Sequence, residues 1–151
     1  MDYIVGEKTD EFAELEATHA SYRDYLLRNE TCLKESGLSC LLADWYYDWS
    51  DKCCLHDSWL EKLTFNRLLG RGCKVSLELL GAYHDKRLIL IYEGVQSYDM
   101  PSISSENWEW DLDEIEIIEP SKFKHKILWT SGEKWEFFFS GKFEYKCSDI
   151  K

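Results

Sequence analysis

Two hydrophobic periods divide the chain. Near its start, Phe12, Leu15, His19, Tyr22 and Leu26 recur at steps of three and four, which places them on one face of a helix from about residue 9 to 29. Thr9 or Asp10 can cap that helix, and Asp10 and Glu11 suit the positive end of its dipole. The helical pattern fades near Glu30, and Gly37 ends any continuation. From Cys73 the period is two. Val75, Leu77 and Leu79 alternate with polar residues, Gly81 to Lys86 make a turn, and Leu88, Leu90 and Tyr92 follow. Ile89 and Ile91 fill the positions between, so this strand is expected to be central and covered on both faces. Gly94 marks a bulge or bend, and Met100 to Ser105 a surface connection.

Trp108 to Leu112 and Ile115 to Ile118 read as two further strands, ended by Pro120 and Ser121. Phe123, His125, Ile127 and Trp129 alternate strictly, as do Trp135, Phe137 and Phe139 across the Gly-containing loop Thr130 to Glu133. Ser140 and Gly141 turn the chain into Phe143 and Tyr145. Between helix and strands, Leu41 to Asp51 holds four aromatics and three aspartates without a clean period, which reads as an irregular loop or a short strand with a turn at Asp48 to Asp51. Leu55 to Phe65 fits either period, and strand is preferred. These elements predict one α+β domain over residues 1–151, with a β-rich region from about 53 to 147. The N-terminal helix would pack on an antiparallel β-meander of about six to eight strands.

A hydrophobic content of 44% and an aromatic content of 15% supply a core and argue against disorder. The net charge of -11 works against nucleic acid and anionic membranes as partners, and favours a basic protein. The charge is concentrated between Glu106 and Glu119, where seven residues are acidic and none is basic. Trp108, Trp110, Leu112, Ile115 and Ile117 are spaced there to meet a core, which predicts strands with one apolar and one negative face. Lys122, Lys124 and Lys126 follow at once and can neutralise part of that face across a hairpin.

The first residues lack the basic and apolar regions of a secretory signal, and no apolar run is long enough to span a bilayer. A cytoplasmic location is therefore expected, with Cys32, Cys40, Cys53, Cys54, Cys73 and Cys147 serving mostly as small buried thiols. No cofactor is implied, and no nucleophile elbow or phosphate-binding glycine loop is present in the sequence. Two His-Asp pairs, His56-Asp57 and His84-Asp85, are the material for an alternative reading as a small metal-dependent hydrolase. Cys53, Cys54 and His56 offer zinc-type donors without the usual CxxC spacing.

The aromatic cluster Trp45, Tyr46, Tyr47, Trp49 and Trp59 is expected to be mostly core, with some rings left as anchors for a cationic partner or as a stacking surface for sugars. The residues expected to meet a basic partner are Trp45, Tyr47, Asp48 and Trp49 from the loop, and Glu109, Asp111, Asp113 and Glu116 from the acidic strands. A carbohydrate-binding module is the remaining alternative.

Three stretches, LHDSWLEKLTF, LELLGAYHDKRLILIYEGVQSYDM and WEWDLDEIEIIEPSKFKHKILWTSGEKWEFFFSGKFEYK, resemble a group of small bacterial proteins of which some are similar to immunity proteins of toxin systems. The resemblance runs from Leu55 to Lys146 and leaves out the helix and the cysteine-rich loop. It implies an antiparallel α+β domain whose shared motifs are structural rather than catalytic, and it carries no active site with it.

Overall fold

The computed structural model of the chain describes residues 12–67, 70, 72–100 and 108–150. Helix α1 spans Phe12–Arg28, and a short second helix, α2, spans Glu30–Glu35. Tyr22 and Leu26 of the expected apolar face of α1 are buried, while the caps expected at Thr9 or Asp10 lie outside the described residues. Helix α2 ends in a glycine motif. The Leu38 N–H donates to the Leu33 carbonyl at 2.8 Å and the Gly37 N–H to Lys34 at 3.3 Å, with Gly37 at φ +80°. Leu33 and Leu38, both fully buried, supply the hydrophobic contact that goes with this cap. A Cβ on Gly37 would lie 2.1 Å from the Phe143 carbonyl oxygen. Gly37→Ala is therefore expected to cost about 2 kcal/mol or more, from backbone strain plus the collision. The midpoint of urea unfolding measures it, and an unchanged midpoint would mean that the helix–sheet contact gives way freely.

A 3₁₀ turn at Ser39–Leu42 opens an irregular loop that runs to the first strand, as the missing period foretold. Seven strands follow among the described residues: β1 Trp59–Arg67, β2 Cys73–Leu80, β3 Lys86–Asp99, β4 Trp110–Glu119, β5 Lys122–Trp129, β6 Lys134–Phe139 and β7 Phe143–Asp149. All pairings are antiparallel, in the order β1-β2-β3-β6-β5-β4. The fold is α+β, with two consecutive three-stranded runs joined where β6 lies on β3. Strand β3 is central, as its continuous apolar run predicts, and its two halves have different partners. Lys86–Tyr92 pairs with β7, and Val95–Asp99 pairs with β6. Gly94, at φ +69°, sits at the change, where Gly141 of the β6–β7 turn approaches so closely that a Cβ would meet its nitrogen at 2.8 Å.

The inner face carries Leu77, Leu90, Tyr92, Ile127 and Phe137, all inaccessible to solvent. A cluster of Trp108, Trp110, Trp129 and Trp135 closes one end, with neighbouring rings 4.8–5.5 Å apart.

Two features depart from expectation. Strand β4 is continuous rather than two strands, and it has no solvated acidic face at its centre, because Leu112, Asp113, Glu114 and Ile115 are all buried. Register explains this. Asp113 shares the inner face with Ile115, while Glu114, Glu116 and Glu119 stand opposite Lys126, Lys124 and Lys122 of β5. Ion pairs follow along that ladder, with Lys126 at 3.0 Å from Glu116 and 3.8 Å from Glu114, and Lys124 at 3.8 Å from both Glu116 and Glu136. The hairpin lysines thus neutralise much of the acidic run. The second departure is a disulfide joining Cys53 to Cys147, where buried thiols were expected. It ties the irregular loop to β7, beside a hydrogen bond from the Tyr145 hydroxyl to the Cys53 carbonyl at 2.5 Å. Cys32, Cys40, Cys54 and Cys73 are free thiols.

The outer edge of β4 is met by a helix. The Ile115 and Ile117 N–H groups point away from β5 and donate to the hydroxyls of Tyr22 and Tyr25 on α1, at 2.8 and 2.7 Å. At its other end β4 meets β1. Asp57 N–H donates to the Trp110 carbonyl, Trp110 N–H to Ser58, and Leu60 N–H to Trp108, at 2.8, 2.8 and 2.9 Å. The two end strands of the sheet are thereby zipped together over a few residues, with Trp59 directly opposite Glu109.

Candidate partner-binding site

The residues expected to meet a partner fall into three places. Asp113 is internal. Its carboxylate accepts from the Tyr46 hydroxyl at 2.9 Å, the Trp110 indole N–H at 3.2 Å and His125 Nε2 at 2.8 Å. The Tyr92 hydroxyl lies 2.5 Å from His125 Nδ1, on the far side of the ring. Burial first, and then the charge of Asp113, holds the Tyr92 and Tyr46 phenols well above their ordinary range, so both remain donors. The Asp113 carboxylate can only accept, so His125 donates to it from Nε2 and the ring bridges that carboxylate and the Tyr92 hydroxyl. Glu116 is committed to the lysine ladder. Neither residue presents its charge to a partner.

Trp45 and Tyr47 are half-buried. Trp45 packs against Tyr46 and Tyr145 with ring centres 5.8 and 5.5 Å away, and the Tyr47 hydroxyl bonds that of Tyr22 at 2.7 Å. These rings fasten the loop to the body of the protein. Asp48 is exposed, but its Oδ1 accepts from the Ser50 hydroxyl at 2.6 Å and the Ser50 N–H at 3.0 Å, which shapes the turn and holds its carboxyl below the usual range.

Trp49, Glu109 and Asp111 do converge, and they do so around His56 and Asp57. The β1–β4 zipper sets Asp57, Trp59, Glu109 and Asp111 side by side, and the disulfide-anchored loop brings Trp49 onto the neighbouring His56. Trp49 lies flat on His56, with ring centres 3.9 Å apart and planes within 8°. His56 Nδ1 lies 2.7 Å from the Asp111 carbonyl oxygen and donates to it, and Nε2 lies 3.4 Å from the Asp57 carboxylate. Burial, reinforced by a hydrogen bond to Asp57 and the negative charge of that residue, raises Glu109 above the ordinary carboxyl range. The two carboxyl groups are close enough to hydrogen-bond, and ionisation of both leaves like charges in contact. Trp59 and Trp49 remain 50% and 46% exposed. The His84 ring stands edge-on to Trp59 at 5.7 Å. Asp57 and His84, at φ +63° and +61°, are the described non-glycine residues with positive φ, and both lie against this patch.

Sequence reasoning assigned His56, Asp57 and His84 to a metal alternative and Trp59 to the aromatic cluster. Their place beside Glu109 depends on the meeting of β1 with β4, which no local pattern encodes. The metal alternative required the two His-Asp pairs to meet. Asp85 is instead held by Lys52 at 2.7 Å, and His84 faces Trp59. Among the described residues, no group of three or more His, Cys, Asp or Glu is arranged to hold a metal ion. Burial pushes the Cys40 and Cys54 thiols up to about 12, far from a reactive thiolate at neutral pH. Among the described residues, no helix is long and apolar enough to cross a membrane. A comparison with protein-family models and with curated proteins found no match to this chain.

Proposed function

We propose that this chain is a non-enzymatic binding protein that holds a basic protein, in the manner of an immunity-type neutraliser of a toxin. The observation that carries this reading is the convergence of Asp57, Glu109 and Asp111 beside two half-exposed tryptophans. Large aromatics with one face in water and carboxylates at their rim are the material of interface anchors. The net charge of -11 would draw a basic partner toward the patch and speed association. A cytoplasmic location belongs to the same proposal, against the Cys53–Cys147 disulfide, which a glutathione-buffered compartment tends to reduce.

The test is retention of a partner from host-cell lysate by the wild-type chain and by the Glu109→Lys/Asp111→Lys double variant, at low and high salt. The expected result is a basic protein held in near-stoichiometric amount at low salt, released as salt rises, and bound roughly tenfold more weakly by the variant. A partner retained equally by both chains would rule this patch out.

A further inference from the structure

Exposed indoles beside carboxyl groups make a surface able to discriminate among cations. An ammonium group is compact and strongly hydrated, and gains most from a negative field alone. A guanidinium is planar, gives up its water more readily, and can lie on an indole face while its edge donates to carboxylates. The patch supplies both elements. One face of Trp49 is occupied by His56, and its 46% exposure leaves the other to solvent. Trp59 is opposite Glu109 across the β1–β4 bridge, so an indole and a carboxyl share one side of the sheet. The Glu109 side chain is hydrogen-bonded to Asp57, so the two carboxyl groups stand within reach of one guanidinium.

Resting on the binding role proposed above, we infer that this patch receives an arginine side chain of the partner and prefers it to lysine. The guanidinium stacks on an exposed indole and donates to the Asp57 and Glu109 carboxyl groups. Backbone hydrogen bonds between β1 and β4 hold the carboxylates in place, and the disulfide-tethered loop holds Trp49, so the receptor is formed before the partner arrives.

The experiment follows the tryptophan indole N–H signals of the ¹⁵N-labelled full chain during titration with blocked Gly-Arg-Gly and Gly-Lys-Gly peptides at equal ionic strength. Trp49→Phe and Trp59→Phe assign the two signals. The arginine peptide is expected to move both and to bind about fivefold more tightly than the lysine peptide. Glu109→Gln, which keeps the shape of the side chain, is expected to weaken the arginine peptide, and Trp59→Leu to erase its advantage. Equal affinities with equal shifts would overturn the inference and leave a general negative field, so the binding role would stand without it. Shifts confined to other tryptophans, or no response to either peptide, would also overturn it. So would a larger response to methyl glycosides, which would turn the surface over to sugars. The binding role itself is judged separately, by the charge-reversal capture.

Discussion

Replacing Asp113 by alanine is expected to destabilise the protein by about 3–5 kcal/mol, a large part of the stability of a domain this size. The carboxylate is 4% exposed and satisfies donors from three parts of the chain: the loop through Tyr46, its own strand through Trp110, and β5 through His125. Removing it leaves a phenol, an indole and an imidazole buried around a cavity, and each unmet donor costs about 1–3 kcal/mol. Asp113→Asn keeps the volume but points an amide N–H at groups that are themselves donors, so it should recover only part of the loss. Urea unfolding of the two variants, read at constant slope, gives both numbers. A loss below about 1 kcal/mol in Asp113→Ala would show that the network contributes little beyond ordinary packing.

Raising the pH above 10 is expected to unfold the protein cooperatively. Tyr22, Tyr46 and Tyr92 are each at most 1% exposed, and burial and then the charge of Asp113 hold all three well above the ordinary phenol value of 10.0. Because the folded value is the higher one, their contribution to stability is fully present below pH 10. It is lost as pH rises, since only the unfolded chain can release those protons. Each ring therefore favours the unfolded chain by roughly 1 kcal/mol for every pH unit above 10, and Tyr47 and Tyr145 add to it. Circular dichroism and phenolate absorbance, followed together, test this. The absorbance of the buried rings should rise in step with the loss of structure. If all nine tyrosines ionised while the dichroism stayed native, the burial argument would fail.

Alternation made β2, β5 and β6 legible, because a strand with one buried face must place its apolar residues two apart, and the helix of Tyr22 and Leu26 was legible by the same logic at its own period. The phase that puts Asp113 inside was also present in the sequence. It stands two residues from Ile115 and four from Ile117, just as His125 stands between Phe123 and Ile127. Charge argued for solvent there, and it lost because a histidine, a tyrosine and an indole, contributed from different elements, replace the water that a carboxylate would otherwise keep. The lysine ladder was readable because its register is set by a short turn. The Cys53–Cys147 bond and the pairing of Trp59 with Glu109 were not, since each joins segments far apart in the chain and depends on how the whole sheet curves. The candidate site was accordingly half visible: Trp49, Glu109 and Asp111 were named from composition, while their neighbours were assigned to other chemistry.

The tyrosine hydroxyls on the edge of β4 set the terms on which this protein meets its own copies. Backbone donors on an unpaired strand recruit other strands, and proteins commonly blunt such an edge with charge, proline or a bulge. Here Ile115 and Ile117 donate to two phenols carried on one helix, so the protection holds for as long as α1 stays docked. Local fraying of that helix would bare a strand rich in isoleucine before the rest of the sheet loosened. Resistance to aggregation in this protein is therefore a property of helix docking, and can fail while the global stability of the fold is still high.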